Sequence, residues 1–185
     1  MGRLAFIDTE TTGLDPINNE IIEIAIKIID TEVIRTSCRT DVVYEFEGKF
    51  KIRCMETASP KALEINGYNQ EEWKDAYTWS KPACERLLER LKGCVVVGHN
   101  VQFDVTFIRE SLKRKGYPHR LAYPMIDTIT LAHEHLQPIG LRSMKLDNIR
   151  KLMGWPMEGS HTALVDAETT RRLYHTLIRR SWWDR

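Results

Sequence analysis

Short apolar runs and longer segments of helical period follow one another along this chain, and their order predicts a layered fold. Leu4 to Ile7 is an apolar run closing on an acidic, threonine-rich turn, the profile of a buried strand that ends at a site. Ile21 to Asp30 carries isoleucine at most positions, and Val42 to Phe50 alternates apolar and polar side chains through Tyr44, Phe46 and Phe50. These segments read as the second and third strands, paired antiparallel through a hairpin connection. Cys94 to Val97, stopping at Gly98, has the compact profile of a central strand buried on both faces, and Tyr123 to Asp127 reads as a last strand.

Between and after these runs the period becomes helical. Ser59 is a cap with Pro60 at the first helical position, leading through Ala62, Leu63 and Ile65 to a stop at Gly67. Ser80 opens a second helix whose Leu87, Leu88 and Leu91 form one face before Gly93. A third, from Val101 to Lys115, puts Phe103, Phe107, Ile108 and Leu112 on one side and is ended by Gly116 and Pro118. Further helices are expected over Thr128 to Leu136, Leu141 to Met153 and Thr162 to Arg180. Strands first and alternating helices later place the chain in the α/β class, with a mixed sheet of about five strands flanked by helices. No repeat, low-complexity stretch or linker divides it, so the expectation is one domain over residues 1–180 with a short tail at 181–185.

Composition narrows the partners. A net charge of +1 with 29% charged residues is neither that of a polycation that coats nucleic acid nor that of an acidic disordered chain. Any affinity for nucleic acid must therefore be local. The four cysteines, Cys38, Cys54, Cys84 and Cys94, form no Cys-x-x-Cys pair, and a chain of 185 residues needs no disulfide framework, so they read as reduced thiols. The N-terminus enters a strand-like run at once, without a leader-like apolar segment. Gly2 is followed by Phe6 where a myristoylation signal wants Ser or Thr, and no run is long enough to span a bilayer. The expected location is cytoplasmic.

Candidate chemistry lies in three places. Asp8 and Glu10 are two apart, and in an extended chain such side chains project to the same face. Two carboxylates aimed together repel unless cations lie between them, and hard oxygen donors suit Mg²⁺ or Mn²⁺. A triplet of this kind also arises by chance in a chain of ordinary composition. Asp104 falls in the first turn of the helix after the central strand, and Asp166 near the start of the last helix. Each has an ordinary role there, stabilising the positive end of its helix. Their placement argues for more, because strand ends and helix starts gather at one edge of an α/β sheet, where ligands tend to bind. His161, in a Gly-Ser loop five residues before Asp166, titrates near neutral pH and is suited to take a proton from water, although a loop histidine can equally pack or hydrogen-bond locally.

In combination these motifs resemble the histidine-bearing, DnaQ-like branch of the DEDD exonucleases, which includes proofreading subunits of bacterial DNA polymerases. Phe6-Ile7-Asp8-Thr9-Glu10-Thr11-Thr12-Gly13-Leu14 is similar to the first family motif, Gly98-His99-Asn100-Val101-Gln102-Phe103-Asp104 to the second, and His161-Thr162-Ala163-Leu164-Val165-Asp166-Ala167 to the third. Ala62-Leu63-Glu64-Ile65-Asn66-Gly67 and Asp127-Thr128 resemble linking features. A sister branch carries tyrosine four residues before the last aspartate; Thr162 stands there, which indicates the histidine branch. Thr31 to Met55 matches least.

The resemblance implies an RNase H-like fold and a role for each position. Asp8 would bridge two Mg²⁺ or Mn²⁺ ions, Glu10 and Asp166 would hold the ion that activates water, Asp104 would support the other, and His161 would be the general base. Thr11, Thr12, Gly13 and Leu14, with Ala62, Ile65, His99, Asn100 and Phe103, would line the pocket for the 3′-terminal nucleotide; turn chemistry and core packing are the competing explanations for most of these. The implied activity is 3′→5′ hydrolysis of single-stranded DNA ends to nucleoside 5′-monophosphates, in repair, degradation or proofreading, with a separate polymerase as a possible partner. Trimming of RNA ends or short oligoribonucleotides is the alternative, and an inert binding domain a more distant one. Lys113, Arg114, Lys115, Arg171, Arg172, Arg179, Arg180 and Arg185 load helix ends and faces, where most are simply solvated. Trp182 and Trp183 fit packing better than base stacking.

Overall fold

A computed structural model describes residues 2–31, 41–117 and 124–183, with side chains to residue 178. Five strands form one mixed sheet: β1 (Arg3–Thr11), β2 (Ile21–Asp30), β3 (Val42–Lys49), β4 (Cys94–Gly98) and β5 (Met125–Asp127). Their order is β3-β2-β1-β4-β5. The β3-β2-β1 half is antiparallel, while β4 and β5 run parallel to β1. Six helices accompany it among the described residues: α1 (Pro60–Ile65), α2 (Lys81–Leu91), α3 (Val101–Lys113), α4 (Thr128–Leu136), α5 (Leu146–Met153) and α6 (Ala163–Trp183). This is the expected mixed sheet between helices.

Alternation along the strands decides which helix covers which face. Ala5, Ile7, Ile24, Ile26, Ile28 and Val96 face α2 and α3, where Leu87, Leu91, Val105, Phe107 and Ile108 complete the main core. Leu4, Phe6, Ile29 and Val97 face the other way, against Tyr174 of α6, and Ala25 meets Ala163 and Ala167 of the same helix. Isoleucine at six of the ten positions of β2 thus reflects burial on both faces. A further cluster joins α4, α5 and α6 through Ala132, Leu136, Ile149, Leu173 and Leu177.

Several boundaries differ from the sequence expectation, three of them by enough to matter. β1 does not end at Ile7; it continues to Thr11, because Asp8, Thr9 and Glu10 pair with Ala25, Ile24 and Glu23 of β2 and the ladder becomes irregular only between Glu10 and Thr11. Backbone pairing outweighs the turn-like composition. The helix expected from Leu141 starts only at Leu146, since Gly140 adopts a left-handed φ of 104° and the Met144 carbonyl bonds the His99 ring at 2.6 Å. The chain from 141 to 145 is consequently an irregular strap, tied by Met144 to His99 just beyond β4. Finally, α3 stops at Lys113, two residues short of Lys115.

Capping follows expectation at Ser59, whose side chain accepts from the Ala62 amide at 3.4 Å, whereas Ser80 occupies its cap position without a side-chain bond. Cys54, Cys84 and Cys94 are free thiols, and burial pushes those of Cys84 and Cys94 up. The β2-β3 connection, Cys38, Pro118, Tyr123 and the side chains of Arg179, Arg180, Trp182, Trp183 and Arg185 lie outside the described residues. No described helix is long and apolar enough to cross a membrane.

Candidate active site

Asp8 and Glu10 project from β1 to the face covered by α6, and Asp166, in the first turn of α6, comes down on them. Carboxylate oxygens of these three residues lie within 4.8 Å of one another. Asp104 enters from the other side, in the first turn of α3, only 3% exposed, where its Oδ1 accepts a 2.8 Å bond from the Thr9 hydroxyl. Strand alternation explains this arrangement: Thr9, between the two acids, points to the opposite face and meets the helix there.

So many carboxylates, partly or fully buried together, disfavour their own ionisation. Burial holds Asp8 well above the usual carboxylate range, and Asp104, Asp166, Glu10 and Glu23 raise it further. Glu10 is pushed up to about 8, by burial first and then by Asp166, Glu23 and Asp104. Asp104 rises to about 7 through burial, opposed by the Thr9 bond. Asp166 is raised by burial, against the lowering effect of Arg150 and His161. Hard oxygen donors that repel at this range are a donor set for divalent cations of the Mg²⁺ or Mn²⁺ type.

His161 sits beside this cluster on a strained loop. Its φ is 66°, its side chain is about half exposed, and Nε2 lies 3.5 Å from Asp147 Oδ2 of α5. The Ser160 hydroxyl, one residue earlier, accepts from Arg150. That arginine is almost completely buried and also donates to Asp166 Oδ1 at 2.8 Å.

Residues of the expected nucleotide pocket divide into two groups. Leu14 is 84% exposed and Ile65 48% exposed, both large apolar side chains left in solvent. Ser59 donates its amide to Thr12 O at 2.7 Å and Asn66 its side-chain amide to Thr11 O at 2.8 Å, tethering α1 to the end of β1. Ala62 of α1 is half-buried. The Thr11 hydroxyl is committed to Gly13 O at 2.6 Å and that of Thr12 to the Glu20 amide at 2.9 Å. Gly13 packs so closely on the Asn19 side chain that a Cβ there would collide with it.

Of the second group, His99 and Phe103 turn inward and Asn100 does not. His99 donates from Nε2 to the Met144 carbonyl and has Nδ1 2.9 Å from the Thr128 hydroxyl, and burial lowers its pKa, so it is a neutral strut between β4 and the 141–145 strap. Phe103 is half-buried and packs on Phe107 with ring centroids 4.8 Å apart. Asn100 is exposed with φ 70°, and its amide donates to Asp127 Oδ1 at 3.1 Å. Asp127 accepts from Val101 and Ile129 as well, and so caps the starts of both α3 and α4.

Basic residues at helix ends have mostly structural partners. Arg114 donates to the carbonyls of Pro16, Ile17 and Asn19, stapling the loop after the first motif to α3. Lys113 pairs with Glu110, Arg171 with Glu168, and Arg172 lies over the Trp155 ring. Glu23 and Arg150 are neighbours of the acids that inspection of the sequence does not single out. Glu23 is opposite Glu10 in the ladder, accepts from the Ala163 amide at 3.0 Å, and is raised to about 6, mainly by burial. Its only sequence signal is an acid inside an isoleucine run.

Comparison with known proteins converges on one family. The family model described as exonuclease, of RNase T type, matches residues 5–174. The chain is 30% identical over 178 residues to a PolC-type DNA polymerase III of Caldanaerobacter subterraneus subsp. tengcongensis, covering 96% of this chain and 12% of that protein. It is 33% identical over 169 residues to the PolC-type polymerase III of Thermotoga maritima, covering 91% and 11%. It therefore spans about an eighth or less of these relatives. Escherichia coli exonuclease I in complex with a dT13 oligonucleotide superposes with a TM-score of 0.80 at 19% identity, over 98% of this chain and 42% of that one. Exonuclease I from Methylocaldum szegediense superposes with a TM-score of 0.75 at 20% identity, over 100% and 42%. The sheet order, the gathered acids and a match across nearly the whole chain agree with the resemblance of its three motifs: this chain belongs to the RNase T-type exonuclease family.

Proposed function

We propose that this protein is a 3′→5′ exonuclease that removes nucleoside 5′-monophosphates from single-stranded DNA ends, using two Mg²⁺ or Mn²⁺ ions held by Asp8, Glu10, Asp104 and Asp166. The observation that carries this reading is the approach of three carboxylates within 4.8 Å, with a fourth buried behind them. Ions bound there supply the Lewis acidity that activates water and neutralises charge developing at phosphorus. DNA is favoured as substrate by the polymerase relatives, whose naming also supports a setting beside a polymerase.

The chain's own groups divide the remaining work. His161 takes the proton of the attacking water as the scissile P–O bond breaks and the 3′-oxygen of the penultimate nucleotide departs. Its side chain is half exposed and so open to solvent, and Asp147, 3.5 Å from Nε2, is the partner that would orient the ring. Leu14 and Ile65 supply apolar surface for the terminal base. Because the Thr11 and Thr12 hydroxyls are occupied by the turn, that segment meets the terminal sugar through backbone groups.

The test is degradation of matched 5′-labelled DNA and RNA oligomers, single- and double-stranded, with either ion. Single-stranded DNA should shorten stepwise from its 3′ end. Faster shortening of RNA would transfer the activity to RNA ends, and no shortening of either polymer by correctly folded protein would overturn the enzymatic reading.

A further inference from the structure

Among the described residues Arg150 is the largest fully buried side chain, with 1% exposure. Its position in α5 explains why it must find partners internally. The helix packs Ile149 into the cluster shared with α4 and α6, and the next residue points into the crevice between α5, the start of α6 and the 157–161 loop. All three guanidinium nitrogens donate. Nε and Nη2 donate to the Thr169 hydroxyl at 3.0 and 2.6 Å, Nη1 to the Ser160 hydroxyl at 2.5 Å, and Nη2 to Asp166 Oδ1 at 2.8 Å and Val165 O at 3.3 Å. Asp147 Oδ1, one turn earlier, is 3.8 Å from Nη1, while the other oxygen of Asp147 faces His161 Nε2.

We propose that Arg150 is a positioning residue, fixing through one buried guanidinium both the carboxylate of Asp166 and the loop that carries His161. Burying a guanidinium is a poor way to stabilise a fold, because desolvation offsets the attraction it gains. It is a good way to orient groups, since the planar fork fixes direction as well as distance. The bond to Oδ1 fixes the Asp166 carboxylate, which has an oxygen within 4.8 Å of those of Asp8 and Glu10. Ser160 and Asp147 connect the same side chain to either side of His161, whose left-handed backbone would not hold its place unsupported. The two motif residues are thereby kept in register by a group that touches no substrate. This role rests on the function proposed above for Asp166 and His161.

Two variants separate the branches. Arg150→Lys retains the charge but loses the fork, and should weaken Mn²⁺ binding measured by calorimetry about fivefold while lowering kcat at least tenfold with little change in KM. Ser160→Ala releases only the loop branch. It should leave Mn²⁺ binding within twofold of the parent, lower kcat several-fold, and lose that effect when made in a His161→Ala background. Thr169→Val, which removes an acceptor behind the guanidinium, should repeat the Mn²⁺ effect of Arg150→Lys and serves in its place if the lysine variant does not fold. Unchanged Mn²⁺ binding in folded Arg150→Lys or Thr169→Val overturns the Asp166 branch. An equal effect of Ser160→Ala with and without His161 overturns the loop branch. The Mn²⁺ arm needs no turnover, so absence of nuclease activity in the parent would refute the proposed function while leaving this arm decisive.

Discussion

Asp8 concentrates the electrostatics of the site, because burial and four neighbouring carboxylates all disfavour its charge. A residue so placed is costly to the fold, as expected of the ion-holding role proposed for it. Asp8→Asn removes a charge from the cluster with almost no change of shape, so turnover should fall on the order of 10³-fold or more while the midpoint of thermal unfolding, measured with chelator at pH 8, stays level or rises. A clear fall in that midpoint would show that Asp8 stabilises the fold. His161→Ala should lower kcat by about 10²–10⁴-fold and keep Mn²⁺ affinity within a few-fold; an unchanged rate and pH profile would remove His161 from the mechanism. The acids and the histidine were legible in the sequence because each sits in a motif of fixed spacing. Arg150 was not, since an arginine in an amphipathic helix has the same local signature whether it faces solvent or a crevice.

Elements convert these residues into a site by meeting at the end of β1. The start of α6 carries Asp166, and its first amide is accepted by Glu23 from the neighbouring strand. Two substitutions separate the bond from the charge. Glu23→Gln keeps an acceptor for Ala163, and at pH 8 it should be as stable as the parent or more so, because one buried acid has left the cluster. Glu23→Ala strands a buried amide and should cost about 1–3 kcal/mol relative to the glutamine variant in denaturant unfolding. Faster hydrogen exchange at the Ala163 amide should accompany the loss; equal stability of the two variants would show that the bond is unimportant. Helix positions were largely readable from apolar period and caps. Less readable were the length of β1 and the late start of α5, as one depends on a partner strand and the other on a bond from His99 to Met144.

Stability of the whole molecule should depend on pH in a direction set by these acids. Glu10, Asp104 and Glu23 have folded values of about 8, 7 and 6, all above the unfolded carboxylate range near about 4. Between those limits the folded chain binds more protons than the unfolded one, so stability is lost as pH rises. Glu20 and Glu168, held low by Arg53, Arg171 and neighbouring amides against the cost of burial, act oppositely and only below about pH 4.5. With chelator present, unfolding midpoints should thus fall from pH 5 to pH 8, and Mn²⁺ should restore them most at pH 8, where the carboxylates are free to bind it. A flat profile, or equal restoration at both values, would refute the coupling of the acid cluster to a cation site.

Taken alone, the amino-acid order determined the α/β class, most helices and the mixed sheet, and singled out the candidate acids and histidine, because period, caps and motif spacing are local properties. Tertiary structure alone decided which carboxylates approach within 4.8 Å, which expected pocket residues face solvent and which face the core, and that Glu23 and Arg150 belong beside them. Leu14 and His99 show the physical reason: both lie in motifs of the same family, yet one is left in water and the other has both ring nitrogens engaged within the protein. Such differences arise from contacts between segments far apart in the chain, and no local pattern encodes them.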